Sequence, residues 1–250
     1  MKIKAMTFNL RVRVDGDGIN YFYNRSDKVI GAIRDEAPDV IGFQEATHGM
    51  RELIRRELQD TYIVIGGGRN KDYRGEGACL AYKRDLFELV SFDTFWLSDT
   101  PNVPGSRYED LDQSQFPRNT VCATLSPAGS EKTFVFVNTH LDHKGEKART
   151  AGMKQIMTYI NEKGGKFVLT GDMNASPDTE CIAAALATKG VIDTTADIPS
   201  TYHGFGLYTN CKIDYIFTNG TCIESYAVPD EHKDGIYISD HFPVCSVIEI

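Results

Sequence analysis

The sequence predicts an α/β protein in which two packed β-sheets are flanked by helices. Short β-like runs alternate with helical runs, the strands fall into two clusters along the chain, and each cluster has helices beside it. The sequence shows no strict strand–helix–strand repeat, which favours two sheets over a single parallel sheet. No shift in composition marks a linker, so residues 1–250 are expected to form one domain.

The first half of the chain carries the signals of five strands and two helices. Ser26 is a typical helix N-cap and Pro38 lies beyond the end of this helix, which we expect to extend to about Glu36. Apolar residues at helical spacing predict a second helix from about Met50 to Leu58. Runs rich in apolar and β-branched residues predict strands at Ile3–Leu10, Val40–Phe43, Tyr62–Ile65, Ala78–Tyr82 and Leu86–Phe92.

A long segment from Leu97 to Arg118 separates these elements from the second cluster of strands. It holds three prolines and has no clear periodicity, as is typical of functional or mobile loops. After it, a helix is expected from about Glu146 to Glu162, with glycines in the C-cap position, and a shorter one at Thr179–Ala187. The predicted strands of this half are Thr120–Leu125, Thr133–Asn138, Phe167–Thr170, Ile213–Thr218 and Pro243–Ile250.

Composition and charge limit the classes of function. The chain is 41% hydrophobic and 25% charged, which is usual for a globular protein and excludes disordered, collagen-like and coiled-coil classes. Thirty-five acidic against 27 basic residues leave a net charge of −8. Because nonspecific duplex binding depends on Lys and Arg displacing counterions, we expect no long duplex DNA partner. A phosphate-bearing substrate stays open, since a bound divalent cation can supply positive charge.

The sequence carries no visible targeting or membrane signal. Its apolar runs are too short for a membrane span, and the residues after Met1 lack the apolar stretch and cleavage site of a signal peptide. The six cysteines are scattered without a Cys-x-x-Cys pair, so we expect reduced thiols rather than three disulfides. These observations predict a cytoplasmic protein.

Polar residues recur at the ends of the predicted buried strands, where an acid adds nothing to the stability of the strand. Hard divalent cations bind carboxylate and amide oxygens, whereas zinc would require Cys/His clusters or a His-Glu-x-x-His motif, which the sequence lacks. We therefore expect a Mg²⁺ (or Mn²⁺) site where the strand ends converge. The residues concerned are Asn9, Glu45, His140, Asp172, Asn174, Asp214, Asp240 and His241.

Six short motifs occur in order along the whole chain, and through them the sequence resembles the endonuclease/exonuclease/phosphatase superfamily. That superfamily includes DNase I, apurinic endonucleases, deadenylases, sphingomyelinases and inositol polyphosphate 5-phosphatases. The resemblance implies a DNase I-like four-layered α/β/β/α sandwich, in which two mainly antiparallel or mixed sheets pack face to face. The motifs are Thr7-Phe8-Asn9, Gly42-Phe43-Gln44-Glu45, Asn138-Thr139-His140-Leu141, Gly171-Asp172-Met173-Asn174, Ile213-Asp214-Tyr215-Ile216 and Ser239-Asp240-His241-Phe242-Pro243.

The resemblance also implies roles at a metal site. Glu45 would be the principal metal carboxylate, with Asn9 and Asp240 beside the ion. Asp172 and Asn174 would position the attacking water and the phosphoryl group, around one metal ion or two.

The same resemblance implies the groups that move protons. Asp214 and His241 would form an acid–imidazole pair in which the carboxylate fixes the imidazole tautomer. His140 would donate a hydrogen bond or a proton to a phosphate or leaving-group oxygen, and Glu76 is similar to the acid that orients this histidine. The general base, His241 or Asp172, differs between branches of the superfamily and stays open.

Three further residues are candidate substrate ligands, in addition to His140 and Asn174. By the resemblance, Asn138 would contact the phosphate. Arg118 is a candidate phosphate ligand, and a surface ion pair is the alternative. His203 flanks the expected site and is a candidate for substrate contact, with an ordinary structural or surface role as the alternative.

The predicted function is the hydrolysis of a phosphoester by metal- and His/Asp-assisted in-line attack of water, in a phosphodiesterase or phosphatase. The motif forms resemble the deadenylase-like and general bacterial branches. Small phosphodiesters, sugar or lipid headgroup phosphates, and short nucleic acid are the favoured substrates. A nuclease acting on single-stranded or short nucleic acid is one alternative, and a non-catalytic binding or scaffold protein of the same shape is another.

Overall fold

In the computed structural model, which describes residues 1–230, 232 and 234–250, the strands form two six-stranded sheets. The first sheet contains, in spatial order, β11 (Thr221–Ala227), β12 (Val244–Glu249), β1 (Lys2–Asn9), β2 (Val40–Gln44), β4 (Cys79–Lys83) and β3 (Tyr62–Gly66). The second contains β5 (Phe87–Trp96), β6 (Asn119–Pro127), β7 (Phe134–His140), β8 (Lys166–Asp172), β10 (Asp214–Thr218) and β9 (Ile192–Asp193). Both sheets are mixed, because β1 pairs with β2 and β7 with β8 in parallel, while the other pairs are antiparallel.

Helices cover the outer face of each sheet. Apolar residues of α1 (Phe22–Glu36) and α2 (His48–Leu58) share one buried cluster with residues of the first sheet such as Phe8. Those of α3 (Glu146–Lys163) and α4 (Glu180–Leu186) share another with residues of the second sheet. The four predicted layers, helices, sheet, sheet and helices, are therefore confirmed.

A third buried cluster lies between the sheets and joins them. It contains Ile3, Leu80 and Tyr82 of the first sheet and Phe136 and Ile216 of the second. Successive side chains in a strand point to opposite faces, so each strand contributes residues both to the core between the sheets and to the core beneath its helices. The two sheets therefore share one core.

Helix α1 begins earlier than predicted. Its first residue is Phe22, and the hydroxyl of Ser26 lies inside the helix, where it donates to the carbonyl of Tyr23 at 3.2 Å instead of capping the N-terminus. Phe22 and Arg25 are buried in the first turn. Tertiary packing therefore starts this helix, and the N-cap signal was wrong.

Two strands were missed, and β5 was predicted to end four residues too early. β9 has two residues, and β11 has a bulge after Cys222 and exposed residues on both faces, so neither carries an alternating pattern. β5 was expected to end at Phe92 but continues to Trp96, because its pairing with β6 extends to Asn119. The pairing partner, and not the local sequence, sets these strand ends.

The six cysteines are free thiols, and four of them are buried. None of the helices in the described part of the chain combines the length and the apolar character that a membrane crossing requires.

Candidate active site

The strand registers bring the predicted strand-end residues to one side of the molecule. In the parallel pair β1 and β2, Asn9 is level with the residue before Glu45. In the parallel pair β7 and β8, His140 is level with Asp172, and Asp214 opposes Asp172 at the start of antiparallel β10. The carboxyl ends of parallel strands and the amino end of an antiparallel neighbour lie at one edge of a sheet, so these side chains meet.

A cleft of about 410 Å³ opens at this edge. Four further residues that the sequence analysis did not predict also line it: Arg11, Arg69, Phe116 and Tyr202. The predicted residues that line the cleft are Glu45, Glu76, Arg118, His140, Asp172, Asn174, Asp240 and His241.

Side-chain oxygens that could bind a metal ion gather at one part of the cleft. The amide nitrogen of Asn9 donates to Asp172 at 2.9 Å and lies 3.4 Å from the carboxylate of Glu45, so it holds the two acids together. Burial raises the pKa of Asp240, and the charge of Glu45 adds to this effect. Nε of Arg11 lies 3.7 Å from Asp240, and Nε2 of His241 lies 3.9 Å from it. This donor set fits a hard divalent cation.

Two groups of acidic and histidine side chains in the described residues could hold a metal ion. One contains Glu45, Glu76 and His140, and the other contains Asp172, Asp214 and His241. Asp214 already accepts a hydrogen bond from His241, so the second group resembles an acid–imidazole pair more than a metal site.

Asp172 is the hub of the hydrogen bonds in the cleft. Its Oδ1 accepts from the backbone N–H of Asn174 at 2.8 Å, and its Oδ2 accepts from Asn9. The same Oδ2 lies 3.5 Å from Nε2 of His140 and 3.8 Å from Nε2 of His241. Burial raises the pKa of Asp172, and the charge of Asp214 raises it further.

His241 and Asp214 form the predicted pair. Nδ1 of His241 donates to Oδ2 of Asp214 at 2.8 Å, and Nε2 faces the cleft. Burial by itself lowers the pKa of His241, but the charge of Asp214 and this hydrogen bond outweigh it and raise the pKa to about 10. His241 is therefore an imidazolium at neutral pH, with a carboxylate behind it and two carboxylates in front.

His140, unlike His241, is neutral at neutral pH. Burial lowers its pKa well below the usual value, and the guanidiniums of Arg118 and Arg69 lower it further. Its Nε2 accepts a hydrogen bond from the side-chain amide of Asn174 at 3.0 Å. A neutral His140 thus carries its proton on Nδ1, and Nε2 is not the atom that donates to a substrate.

Glu76 lies near His140 but pairs with another residue. Its carboxylate is 3.0 Å from Nη1 of Arg69, and no hydrogen bond joins it to His140 in the described structure. Glu76 was expected to orient His140, but in the structure Asn174 holds Nε2 of that ring instead. The raised pKa of Glu76 comes from its burial, which the charge of Arg69 opposes.

Three residues just after strand ends hold left-handed backbone conformations. The φ angles of Arg11, Glu45 and Asn174 are 54°, 61° and 48°. Such conformations cost about 1 kcal/mol or more in a residue with a side chain, and they cluster where function sets the geometry. They turn the side chains of Glu45 and Asn174 into the cleft.

Asn138 lies outside the cleft, contrary to its expected contact with phosphate. It is fully buried between the sheets, where its amide donates to the carbonyls of Phe43 and Cys79 and its Oδ1 accepts from Gln44 at 2.7 Å. A Cβ on Gly42 would lie 2.4 Å from this oxygen, so glycine is required beside it. All the hydrogen-bonding groups of Asn138 are used in holding the two sheets together.

His203 also lies outside the cleft wall. It is 4% exposed, its ring packs 4.4 Å from that of Phe242, and its Nδ1 accepts from the backbone N–H of Gly206. Burial lowers its pKa to about 4. The alternative structural role fits this position.

Arg25 supports the site and was missed by the sequence reasoning. It is fully buried in α1 and donates to the carbonyls of Leu10, Arg11, Asn20 and Ile238. It thereby ties the loop after β1 to the segment that carries Asp240. A single arginine in an amphipathic helix gives no signal for this role, because surface arginines are far more common.

The comparisons with known proteins agree with this architecture. The Endonuclease/Exonuclease/phosphatase family model matches residues 6–241. An endonuclease/exonuclease/phosphatase from Bacteroides vulgatus is 28% identical, with a TM-score of 0.92 over 100% of this chain and 99% of that chain. Two further structures show likeness of fold. A mannosyl-6-phosphatase of Bacteroides thetaiotaomicron is 24% identical, with a TM-score of 0.85 over 99% of this chain and 100% of that chain. D. rerio TDP2 in complex with a single-strand DNA product is 16% identical, with a TM-score of 0.79 over 100% of this chain and 99% of that chain.

The match spans both sheets and reaches from β1 to His241 of the acid–imidazole pair. Every motif of the cleft except the last two residues of the final one lies inside it. The chain belongs to the Endonuclease/Exonuclease/phosphatase family.

Proposed function

We propose that the chain is a metal-dependent phosphoesterase that uses Mg²⁺ or Mn²⁺ to hydrolyse a small phosphoester. The observation that carries this proposal is the presence of two unlike groups at one cleft. One is the set of oxygen ligands from Glu45, Asp240 and Asn9, and the other is the Asp214–His241 pair, whose Nε2 lies 3.8 Å from Asp172 and 3.9 Å from Asp240. A site with both features can bind phosphate through a cation and move a proton to or from water.

Glu45, Asp240 and Asn9 would hold the cation, with Asp172 at its edge. The Oδ1 of Asn9 already accepts from the backbone N–H of Arg11 at 2.9 Å, which leaves one lone pair for a metal. When bound, the divalent ion supplies positive charge to the phosphoryl oxygens and lowers the pKa of a coordinated water. It also adds positive charge beside the buried carboxylates.

Asp172 would take the proton of the attacking water. Its pKa is raised by burial, so it is a stronger base than an ordinary carboxylate, and catalysis favours a base whose pKa lies near the working pH. His241, held charged by Asp214, would stabilise the negative charge that grows on phosphoryl oxygens. Asn174 and neutral His140 would line the phosphoryl site, and the hydrogen bond that joins them would fix their positions.

The cleft suits a small substrate. Its volume of about 410 Å³ lies in the lower part of the range for small-molecule sites. A nuclease acting on short single strands is the second candidate, because the rings of Phe116 and Tyr202 line the cleft and aromatic rings stack on bases. The likeness to a mannosyl-6-phosphatase and to TDP2 is compatible with either substrate.

The proposal is tested by titrating the metal-free protein with Mg²⁺ and Mn²⁺. The substrates are 4-nitrophenyl phosphate, bis(4-nitrophenyl) phosphate and a short oligonucleotide. We expect turnover that depends on the metal and stops when EDTA is added, and the preferred substrate separates the phosphatase, phosphodiesterase and nuclease. No turnover on any of the three would favour a non-catalytic binding protein instead.

Asp240→Asn is expected to stabilise the metal-free protein and to abolish its stabilisation by Mg²⁺. The substitution keeps the shape but removes a carboxylate whose charge is disfavoured by burial and by Glu45, so we expect the free energy of unfolding to rise in EDTA. Wild-type protein should gain melting temperature on addition of Mg²⁺, since a ligand that binds only the folded state stabilises it. Equal metal responses in the two proteins would contradict the role of Asp240.

Asp214→Asn is expected to change the pH profile of kcat/KM. The carboxylate of Asp214 raises the pKa of His241, so its loss lets burial lower that pKa. The imidazolium form is then lost at a lower pH, and the alkaline limb of the profile should move down by about one pH unit or more. A shift of the acidic limb instead would show that His241 acts as the base.

A further inference from the structure

Three buried nitrogen atoms at one end of the cleft have no hydrogen-bond partner in the part of the chain that the structure describes. They are Nε and Nη1 of Arg118 and Nδ2 of Asn119, the residues that precede and begin β6. Arg118 is 4% exposed and Asn119 is 3% exposed. An unpaired buried donor costs about 1–3 kcal/mol, and more when it is charged. Because unpaired donors are so costly, these three indicate a ligand that accepts their hydrogen bonds.

These donors share one small cavity that adjoins the catalytic cleft. Arg118, Asn119, Arg69, Glu76 and His140 line it, and all of these except Asn119 line the cleft as well. The cavity offers about 10 Å³, which is room for about one oxygen atom of a ligand or one water. A group bound in the cleft can therefore place an oxygen against both residues.

The charge of Arg118 is only partly met by its neighbours. Nε lies 3.6 Å from Asp142, beyond hydrogen-bond distance, and the oxygens of Asp142 accept from Ser114 and from the backbone N–H groups of Lys144 and Gly145. Nη2 donates to Nδ1 of His143 at 3.0 Å, since an arginine side chain has no acceptor. Burial lowers the pKa of His143, so this partner is neutral. Arg118 therefore keeps positive charge for a further anion.

This end of the cleft is distinct from the place of phosphoryl attack. His140 stands between them, since its Nε2 is 3.5 Å from Asp172 and its ring also lines the cavity of Arg118. Arg69 adds a second guanidinium, paired with Glu76 at 3.0 Å. An anion beside Arg118 would thus belong to a different part of the substrate from the phosphorus that is attacked.

We propose that Arg118 and Asn119, with Arg69 beside them, form a second anion subsite that binds an additional phosphate or carboxylate group of the substrate. The inference rests on the proposed phosphoesterase function and names its substrate class. The substrates are small phosphoesters with a second oxyanion, and the subsite excludes esters of uncharged alcohols from the preferred set.

The first experiment measures anion binding without catalysis. The full-length protein in EDTA is titrated by calorimetry with inorganic phosphate and, separately, with acetate, which distinguishes a phosphate subsite from a carboxylate subsite. In the metal-free cleft the carboxylates repel anions, so binding reports on Arg118. We expect Arg118→Gln and the near-isosteric Asn119→Asp to weaken binding at least about tenfold, since charge-assisted hydrogen bonds are strong.

Arg34→Gln is the matched control, because it removes one positive charge from an exposed position of α1. It should bind as the wild type does. Melting temperatures show whether the variants at buried positions are folded. If Arg118→Gln does not fold, Asn119→Asp still tests the subsite. Unchanged binding in a folded Asn119→Asp protein, or in a folded Arg118→Gln protein, would overturn the subsite.

The second experiment compares kcat/KM for a hexose 1,6-bisphosphate and a hexose 6-phosphate in the presence of Mg²⁺. We expect the wild type to prefer the bisphosphate at least about tenfold, and Arg118→Gln to lose most of that preference. Hydrolysis of both esters at equal kcat/KM would overturn the subsite and leave the proposed function standing. Anion binding that depends on Arg118, without hydrolysis of any phosphoester, would support the subsite and overturn the proposed function.

Discussion

Replacing His241 by alanine is expected to lower phosphoester hydrolysis at least about 100-fold while the protein remains folded. The charged ring is held at Nδ1 by Asp214 and presents Nε2 to the cleft, so its loss removes the cation that faces the developing negative charge. Asp172→Ala should have an effect of the same size, because Asp172 is the proposed base and the hub of the hydrogen bonds to Asn9 and Asn174.

The measurement is kcat with saturating metal, on whichever substrate the metal titration identifies. His48→Ala is the matched control, since this histidine is exposed at the first residue of α2 and should retain full activity. Circular dichroism and melting temperature check the fold of each variant. Turnover near the wild-type value in either the His241 or the Asp172 variant would reject the assigned roles.

Arg25→Met is expected to lower the free energy of unfolding by at least about 3 kcal/mol. The methionine fills similar space but leaves four backbone carbonyls without the donors that they have now, those of Leu10, Arg11, Asn20 and Ile238. Burial lowers the pKa of Arg25 to about 10, so it stays charged at neutral pH. For a chain of this length the melting temperature should fall by about 6 °C or more.

Urea denaturation measures this loss. Arg34→Met is the control, because it makes the same substitution at an exposed position of the same helix and should change stability by about 0.5 kcal/mol or less. Activity should fall with stability in Arg25→Met, since the loop of Arg11 and the segment of Asp240 lose their common support. A stability equal to that of the control would show that these carbonyls do not depend on Arg25.

Stability and function compete at this cleft. The left-handed backbone of Glu45 and Asn174, and the buried carboxylates of Asp172 and Asp240, all cost free energy in the metal-free protein. They persist because the two sheets are joined beneath them, through the amide of Asn138 and the apolar residues between the sheets. Fixing strand ends on a rigid core is what keeps the site organised before any ligand binds.

Much of the fold could be predicted because the buried strands and helices carry strong hydrophobic patterns. Val40–Gln44 and Lys166–Asp172 are almost wholly buried, and both were found with errors of one or two residues. The failures share a cause. β11 and the start of α1 depend on a partner strand or on packing in the first turn, and neither leaves a periodic signal.

The candidate site was predictable wherever chemistry coincides with a strand end. Asn9, Glu45, His140, Asp172 and His241 were found for this reason, and the structure brings them together. Asn138 lies two residues before His140 in the same motif and points to the same face of β7, but it lies deeper between the sheets, where it donates to Phe43 and Cys79. The distance of a residue from the end of its strand decides such cases, and a motif alone does not.

The sequence by itself determined which side chains carry charge and in which order the strands and helices follow. Only the tertiary structure decided which groups are neighbours: that Oδ2 of Asp172 lies 3.5 Å from His140 and 3.8 Å from His241, that Asn174 rather than Glu76 holds Nε2 of His140, and that Arg118 is buried beside Asn119. The physical reason is that a pKa or an unpaired donor depends on burial and on neighbours a few ångströms away. Those neighbours come from segments as far apart as β1 and β12, which only folding brings into contact.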